Sequence, residues 1–208
     1  MNSSIQQLKE IVYKGASDKN LAITDIVLDR INFELLVIES LGFPDYFITY
    51  SRIIEMCNEL NLLRSYGRGS AASSLVNYCL DITKINPLAG NFIFERFINS
   101  QQKNLPDIDI DIDIDIVKGN QKKVVEKLKQ KYPDYYTYFI AFSPQKDTDY
   151  QDVVCNDVTC KKHPCGIIIT TEKITNSVFL YEEQEYYFVT DILNDPLYKS
   201  KSDIFEIV

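Results

Sequence analysis

Residues Leu105–Ile116 read LPDIDIDIDIDI, and from Asp107 onward acid and branched apolar residue alternate without a break. A period of two is the signature of a strand, because successive side chains point to opposite faces. Asp107, Asp109, Asp111, Asp113 and Asp115 therefore share one face, and the isoleucines share the other. Alternate strand residues are roughly 6–7 Å apart, so the acids repel one another unless cations or solvent intervene. Carboxylates at i and i+2 can grip the same hard cation. Mg²⁺ takes oxygen ligands in octahedra and keeps positions open for phosphates. Two such ions about 3.5–4 Å apart stabilise the attacking and leaving oxygens of phosphoryl transfer. The competing reading is a solvated acidic edge strand whose charges discourage pairing. Spacing leaves both open; a third acid on a neighbouring strand is the test.

Upstream of this run the chain reads as helices over Ser3–Tyr13, Leu21–Leu41, Tyr46–Leu60 and Ala71–Leu80, with a helical turn or two at Phe92–Ile98. Gly15–Asn20, Gly42–Asp45 and Ser65–Ser70 separate them as loop and turn signals. Downstream, Gly119 ends the strand and Asn120 is a helix cap for QKKVVEKLKQK. Strands follow at Tyr136–Phe142, Gly166–Thr171, Tyr186–Thr190 and Phe205–Val208, and Ser143–Pro164 is polar and irregular. The expected class is α+β, a helical first half feeding a mixed or antiparallel sheet. One element in the helical half carries chemistry. In Gly67-Arg68-Gly69-Ser70 small residues let the backbone approach a phosphate, the helix-start N–H groups favour an anion, and Arg68 can fork onto its oxygens. The ordinary alternative makes Ser70 an N-cap and the glycines turn residues, which leaves Arg68 unexplained.

Composition sets the frame. The 208 residues are 45% hydrophobic and 25% charged, which excludes wholesale disorder and fits one domain. No apolar run approaches the roughly 20 residues that span a bilayer, and MNSSIQQLKEIVYKG lacks an apolar signal core. The expected setting is cytoplasmic, with no membrane partner. A net charge of −8 means that nucleic acid can be met only through a local basic surface. Lys118–Lys131 supplies one: six lysines against Glu126 alone, followed by Tyr132, Tyr135, Tyr136 and Tyr138. Basic groups with interleaved aromatics suit backbone contact and base stacking; a solvated helix with packed tyrosines is the equal alternative. Cys155, Cys160, His163 and Cys165 could make a tetrahedral zinc site, although no Cys-x2-Cys pair is present; core and loop thiols are the other reading. Cys57 and Cys79 sit in helical patterns as small hydrophobes.

Several motifs converge in order: LGFPDYF from Leu41, GRGSAASSLVNYCLDITKINPL from Gly67, FERFIN from Phe94, and LPDIDIDI from Leu105. The series resembles the palm domain of the bacterial C-family replicative DNA polymerases, the DNA polymerase III alpha subunits. The resemblance covers about Asp29–Asp115 and resumes at HPCGIIITTEKI (His163–Ile174), similar to the family's His-Ala-Ala-Gly-Val-Val-Ile, then runs through Phe188-Val189-Thr190 to the C-terminus.

The resemblance implies a polymerase beta-like nucleotidyltransferase palm with a helical N-terminal part. On it, the whole chain is one minimal palm-like domain. Residues 1–64 form the helical part, 65–142 and 163–208 the catalytic palm, and 143–162 a short loop in place of the thumb. The N-terminal hydrolase-like domain and the fingers are expected to be missing. The implied reaction is two-metal transfer of a nucleotide from a (deoxy)nucleoside triphosphate to a 3′-hydroxyl of a DNA primer on its template. Asp109, Asp111 and Glu206 become the catalytic metal ligands, with Asp107 flanking and Asp203 as substitute for Glu206. Mg²⁺ or Mn²⁺ is the implied cofactor, and zinc at the Cys/His loop an additional one. Gly69 and Ser70, with Arg68 and Arg96, would bind the triphosphate. Two departures stand out: the third acid is Glu where the family has Asp, and the family's nearby Lys is Ile204. They motivate two alternatives: a non-catalytic module that binds nucleic acid or a replication protein, and a primer-forming or template-independent transferase. A protein partner supplying thumb or fingers is a further expectation.

Overall fold

The computed structural model describes residues 3–64, 66, 69–101, 120–142, 152–155, 158–171, 173–175, 178–181, 184–189 and 204–206. The chain forms two compact units, Met1–Asp113 and Ile114–Val208, divided within the Asp-Ile run. That run, Asp107–Ile116, lies outside the described residues, as do Gly67 and Arg68. Among the described residues no helix is long and apolar enough to cross a membrane.

The first unit is helical: α1 (Ser3–Asp18), α2 (Asp25–Ser40), α3 (Pro44–Glu59) and a short α4 (Leu75–Cys79), with 3-10 turns at Gly69–Ser73 and Phe94–Arg96. Thr24 caps α2 by accepting from the Val27 amide, and Asp25 sits favourably in its first turn. Gly42, at φ +76°, stops α2; the Phe43 amide then bonds the Ile38 carbonyl, and Pro44 opens α3. Leu8 and Val12 of α1, Ile31 and Leu35 of α2, and Phe47, Ile53, Met56 and Cys57 of α3 are all buried, and α1 packs against both α3 and α4. Cys57 and Cys79 are buried free thiols, as their helical pattern suggested, and burial pushes them up to about 11 and about 12.

Two expectations are corrected here. α1 runs on to Asp18 and does not break at Gly15. A Cβ at Gly15 would lie 2.0 Å from the Cys79 carbonyl oxygen, so this glycine marks backbone contact between α1 and the end of α4. The helix stops at Asn20, in the left-handed region at φ +52°, with the Leu21 amide bonded back to Ala16. Secondly, Ala71–Leu80 is not one helix but a 3-10 turn followed by α4, whose cap is Ser74.

The second unit begins with α5 (Asn120–Lys131), which buries Val124, Val125 and Leu128 and exposes Lys122, Lys123, Lys129 and Lys131. It carries a six-stranded mixed sheet. β1 (Tyr136–Phe142) lies parallel to β5 (Gln184–Val189) and antiparallel to β3 (Val158–Thr170). β4 (Val178–Tyr181) forms a hairpin with β5. The long β3 takes β2 (Asp152–Cys155) and β6 (Ile204–Glu206) along its other edge, one toward each end. The segment read as irregular therefore contains the β2–β3 hairpin, closed by Cys155 opposite Val158. Polar residues hid it: β2 opens with Asp152 and β3 carries Lys161 and Lys162, so no clean apolar alternation shows. Tyr135 and Tyr138 pack inside this unit; the Tyr138 hydroxyl accepts from the Ile174 amide at 2.9 Å.

At the end of α4, Asp81 takes the left-handed conformation at φ +62° and meets three cations: Lys19 Nζ at 2.6 Å, Arg64 Nη2 at 2.6 Å and Lys84 Nζ at 2.7 Å. Burial pulls its pKa up, but the hydrogen bonds and charges of Lys19 and Lys84 outweigh it and hold the carboxyl at about 2, against an ordinary 3.8. A depressed acid pKa gives stability that is present above the unfolded value and lost as pH falls through the folded one. Wild-type protein should therefore lose stability between about pH 4 and pH 2 in a way Asp81→Asn does not. Asn tolerates the backbone at this position, so the variant isolates the charge, and it should cost about 1 kcal/mol at pH 7 by urea titration. Gly15→Ala should cost more, about 1–3 kcal/mol in the same titration, because the obstructing atom is backbone.

Candidate active site

The Gly-Ser turn is held from below. Ser74 caps α4 by accepting from the Asn77 amide at 3.1 Å, and its hydroxyl donates to Glu34 Oε2 at 2.7 Å. Glu34 comes from the core face of α2 and is 0% exposed. Its Oε1 also accepts from the Leu75 amide at 2.9 Å and from Arg30 Nε at 2.6 Å; its Oε2 also accepts from the Val76 amide at 2.9 Å. Burial outweighs these donors and holds the Glu34 pKa above the ordinary carboxylate value. The acceptor at the start of α4 is therefore the protein's own carboxyl group. The Leu75 and Val76 amides, among the first N–H groups of α4, are thus already occupied. Asn77 completes the scaffold, donating through Nδ2 to the Ala71 carbonyl at 3.0 Å and so bracing the 3-10 turn against α4.

Above this scaffold lies a cavity of about 280 Å³, lined by Gly69, Ala72, Ser73, Ile85, Phe92 and Arg96. Gly69 takes φ +65° with open space where a Cβ would point, so its backbone rather than crowding calls for glycine. Arg96 is exposed at the end of the Phe94–Arg96 turn. Two of the four predicted triphosphate ligands thus share one cavity. Ser70 is half-buried in the same turn and does not line it, and Arg68 lies outside the described residues. Among the described residues its lining holds one cation, small backbone-rich positions and apolar walls, which suits a polyanion joined to a flat apolar group.

Of the predicted metal ligands, Asp107, Asp109 and Asp111 lie outside the described residues, as does Asp203. Glu206 ends β6, opposite Gly166 of β3, at the HPCG motif. Among the described residues no three acids, cysteines or histidines come together to hold a metal. In the zinc candidate, Cys155 ends β2, and Cys160, His163 and Cys165 are strung along β3. Cys160 is buried and disulfide-bonded, and a disulfide sulfur is not a thiolate donor, so zinc there would require the reduced form.

Arg30 and Glu34 were not singled out from the sequence. A signal was present: Glu34 falls on the apolar stripe of α2 with Ile31, Leu35 and Ile38, and Arg30 stands four residues before it. A carboxylate on a core face with a cation one turn away announces a buried, paired charge.

A helical unit presenting a Gly-Ser turn, joined to a unit with a mixed sheet, is an α+β architecture compatible with the nucleotidyltransferases. Residues 6–154 match the family model of the bacterial DNA polymerase III alpha NTPase domain. The chain is 37% identical to the DNA polymerase III subunit alpha of Ureaplasma parvum over 213 aligned positions, covering 93% of this chain and 22% of that protein. It is 38% identical to the Staphylococcus aureus DNA polymerase III subunit alpha over 112 positions, covering 54% of this chain and 10% of that protein. The chain therefore belongs to the bacterial DNA polymerase III alpha family, and it spans about a fifth or less of the length of these relatives.

Ser74 joins three roles: cap, donor to Glu34 and end of the Gly-Ser turn. Ser74→Ala should lower stability by about 1–3 kcal/mol, because it removes a cap and one donor to a buried carboxylate. Ser74→Thr, which keeps the hydroxyl, should recover most of the loss in thermal melts.

Proposed function

We propose that this chain is a DNA polymerase-like nucleotidyltransferase palm that binds a nucleoside triphosphate at the Gly69 turn and transfers its nucleotide to a DNA 3′-hydroxyl. The observation that carries this reading is the shared cavity of Gly69 and Arg96, two positions far apart in sequence, both inside the span matching the polymerase family. Arg96 would pair with phosphate oxygens while the Gly69–Ser70 backbone approaches them closely. Ile85 and Phe92 would exclude water from one side of the bound nucleotide. Asp109, Asp111 and Glu206, with Asp107 flanking, would hold Mg²⁺ or Mn²⁺, which when bound supplies charge neutralisation to the reacting phosphate. The exposed lysines of α5 would track the DNA backbone, a local basic face on a chain of net charge −8. Partner proteins of the replication machinery and a cytoplasmic setting belong to the same proposal.

The test is primer extension with Mg²⁺ or Mn²⁺, beside nucleotide binding by calorimetry. Templated incorporation that falls to background in Asp109→Asn is the expected result. Arg96→Ala should weaken triphosphate binding by about tenfold to a hundredfold, the value of one charge-assisted contact. Untemplated addition would instead make the chain a template-independent transferase. No incorporation and no nucleotide binding would reduce it to a palm-derived binding module.

A further inference from the structure

We propose that Arg30 is a positioning residue for the triphosphate cavity: held by Glu34, its guanidinium ties the Ser73 and Phe92 walls together and so places Arg96. The inference rests on the nucleotide-binding reading and adds to it a residue outside the cavity lining.

Arg30 Nη2 donates to the Ser73 carbonyl at 2.8 Å and to the Phe92 carbonyl at 3.0 Å. Ser73 and Phe92 are both cavity-lining residues, drawn from separate segments. One nitrogen of α2 thus spans the Gly-Ser turn on one side and the wall leading into the Phe94–Arg96 turn on the other. The guanidinium is planar, so the direction of Nη2 is fixed once Nε is committed. Nε is committed to Glu34 at 2.6 Å, and Glu34 is itself fixed by two α4 amides and the Ser74 hydroxyl. The order of dependence runs from the α4 amides to Glu34, to the plane of Arg30, to the separation of two walls. Each carbonyl accepts one bond from Arg30 while it stays in place. A lysine can keep the ion pair with Glu34 but has no rigid fork with which to hold both carbonyls at the same time.

A purely structural role would make Arg30 variants less stable without changing affinity once folded. A positioning role predicts a loss of affinity in folded protein. The experiment uses the full chain with magnesium dATP as the probe. Dissociation constants are taken by calorimetry at a temperature where circular dichroism shows each variant folded. Arg30→Lys should weaken binding by about tenfold, the loss of one or two bonds from a charged donor. In an Arg96→Ala background the same change should add about threefold at most, because the two act through one wall. Arg30→Gln, which retains a planar amide donor, replaces Arg30→Lys should that variant not fold. Wild-type affinity in folded Arg30→Lys, or full multiplication of the two effects, would overturn this inference and leave the nucleotide reading standing. Failure of the wild-type chain to bind magnesium dATP would overturn the nucleotide reading, and this one with it.

Discussion

A carboxylate with no exposure is expensive to bury, and its four donors decide how the first unit is built. Glu34 is taken entirely out of water, which costs several kcal/mol before any partner is counted. Arg30, the Leu75 and Val76 amides and the Ser74 hydroxyl meet both oxygens. Breaking such a pair from one side leaves an uncompensated charge, typically a loss of roughly 3–5 kcal/mol. That asymmetry makes the network specific. α2 cannot rotate or slide against α4 without exposing a charge to apolar core. The Gly69–Ser74 segment, which lacks regular helix geometry of its own, inherits a fixed position from it.

The same network changes how the Gly-Ser turn can meet an anion. The N–H groups of α4 that a phosphate would seek are directed at Glu34. A polyanion arriving at the turn meets a neighbouring negative charge, partly offset by Arg30. Under the nucleotide-binding proposal, recognition would come from the Gly69–Ser70 backbone and from a cation on another wall of the same cavity. Arg96 occupies that wall, in a turn otherwise built by buried Phe94 and Phe97, whose rings sit edge-on at 6.2 Å. The aromatic pair anchors the turn so that its exposed end carries the charge.

Much of the architecture was legible because its signals are local. α2 and α3 follow from apolar periodicity and from Gly42-Phe43-Pro44; α5 and β1 follow from an amphipathic run and a β-branched and aromatic one. Readings failed where one residue type serves two purposes. Gly15 reads as a loop signal, yet it is a helix residue stripped of its side chain so that Cys79 can approach. Ser70 reads as the cap of one long helix, whereas the cap used is Ser74, bonded to the buried Glu34. The β2–β3 hairpin shows no clean apolar alternation in sequence, and its backbone pairing is what defines it. At the site, Gly69 and Arg96 were readable through family resemblance. Arg30 and Glu34 were readable only from a charge out of place on an apolar stripe.

The position proposed for the third acid depends on a different constraint. Glu206 is delivered by a strand of three residues, β6, paired to β3 by Gly166–Glu206, Ile167–Phe205 and Ile168–Ile204. A slip of one residue sends every side chain of a strand to the other face. So short a strand has little pairing energy of its own to resist that slip. β3 meets this need by being central where β6 docks: Ile167 and Ile168 are fully buried and already paired to Phe139 and Tyr138 of β1. The backbone position of Glu206 thus follows from its pairing to a strand that β1 already holds in register.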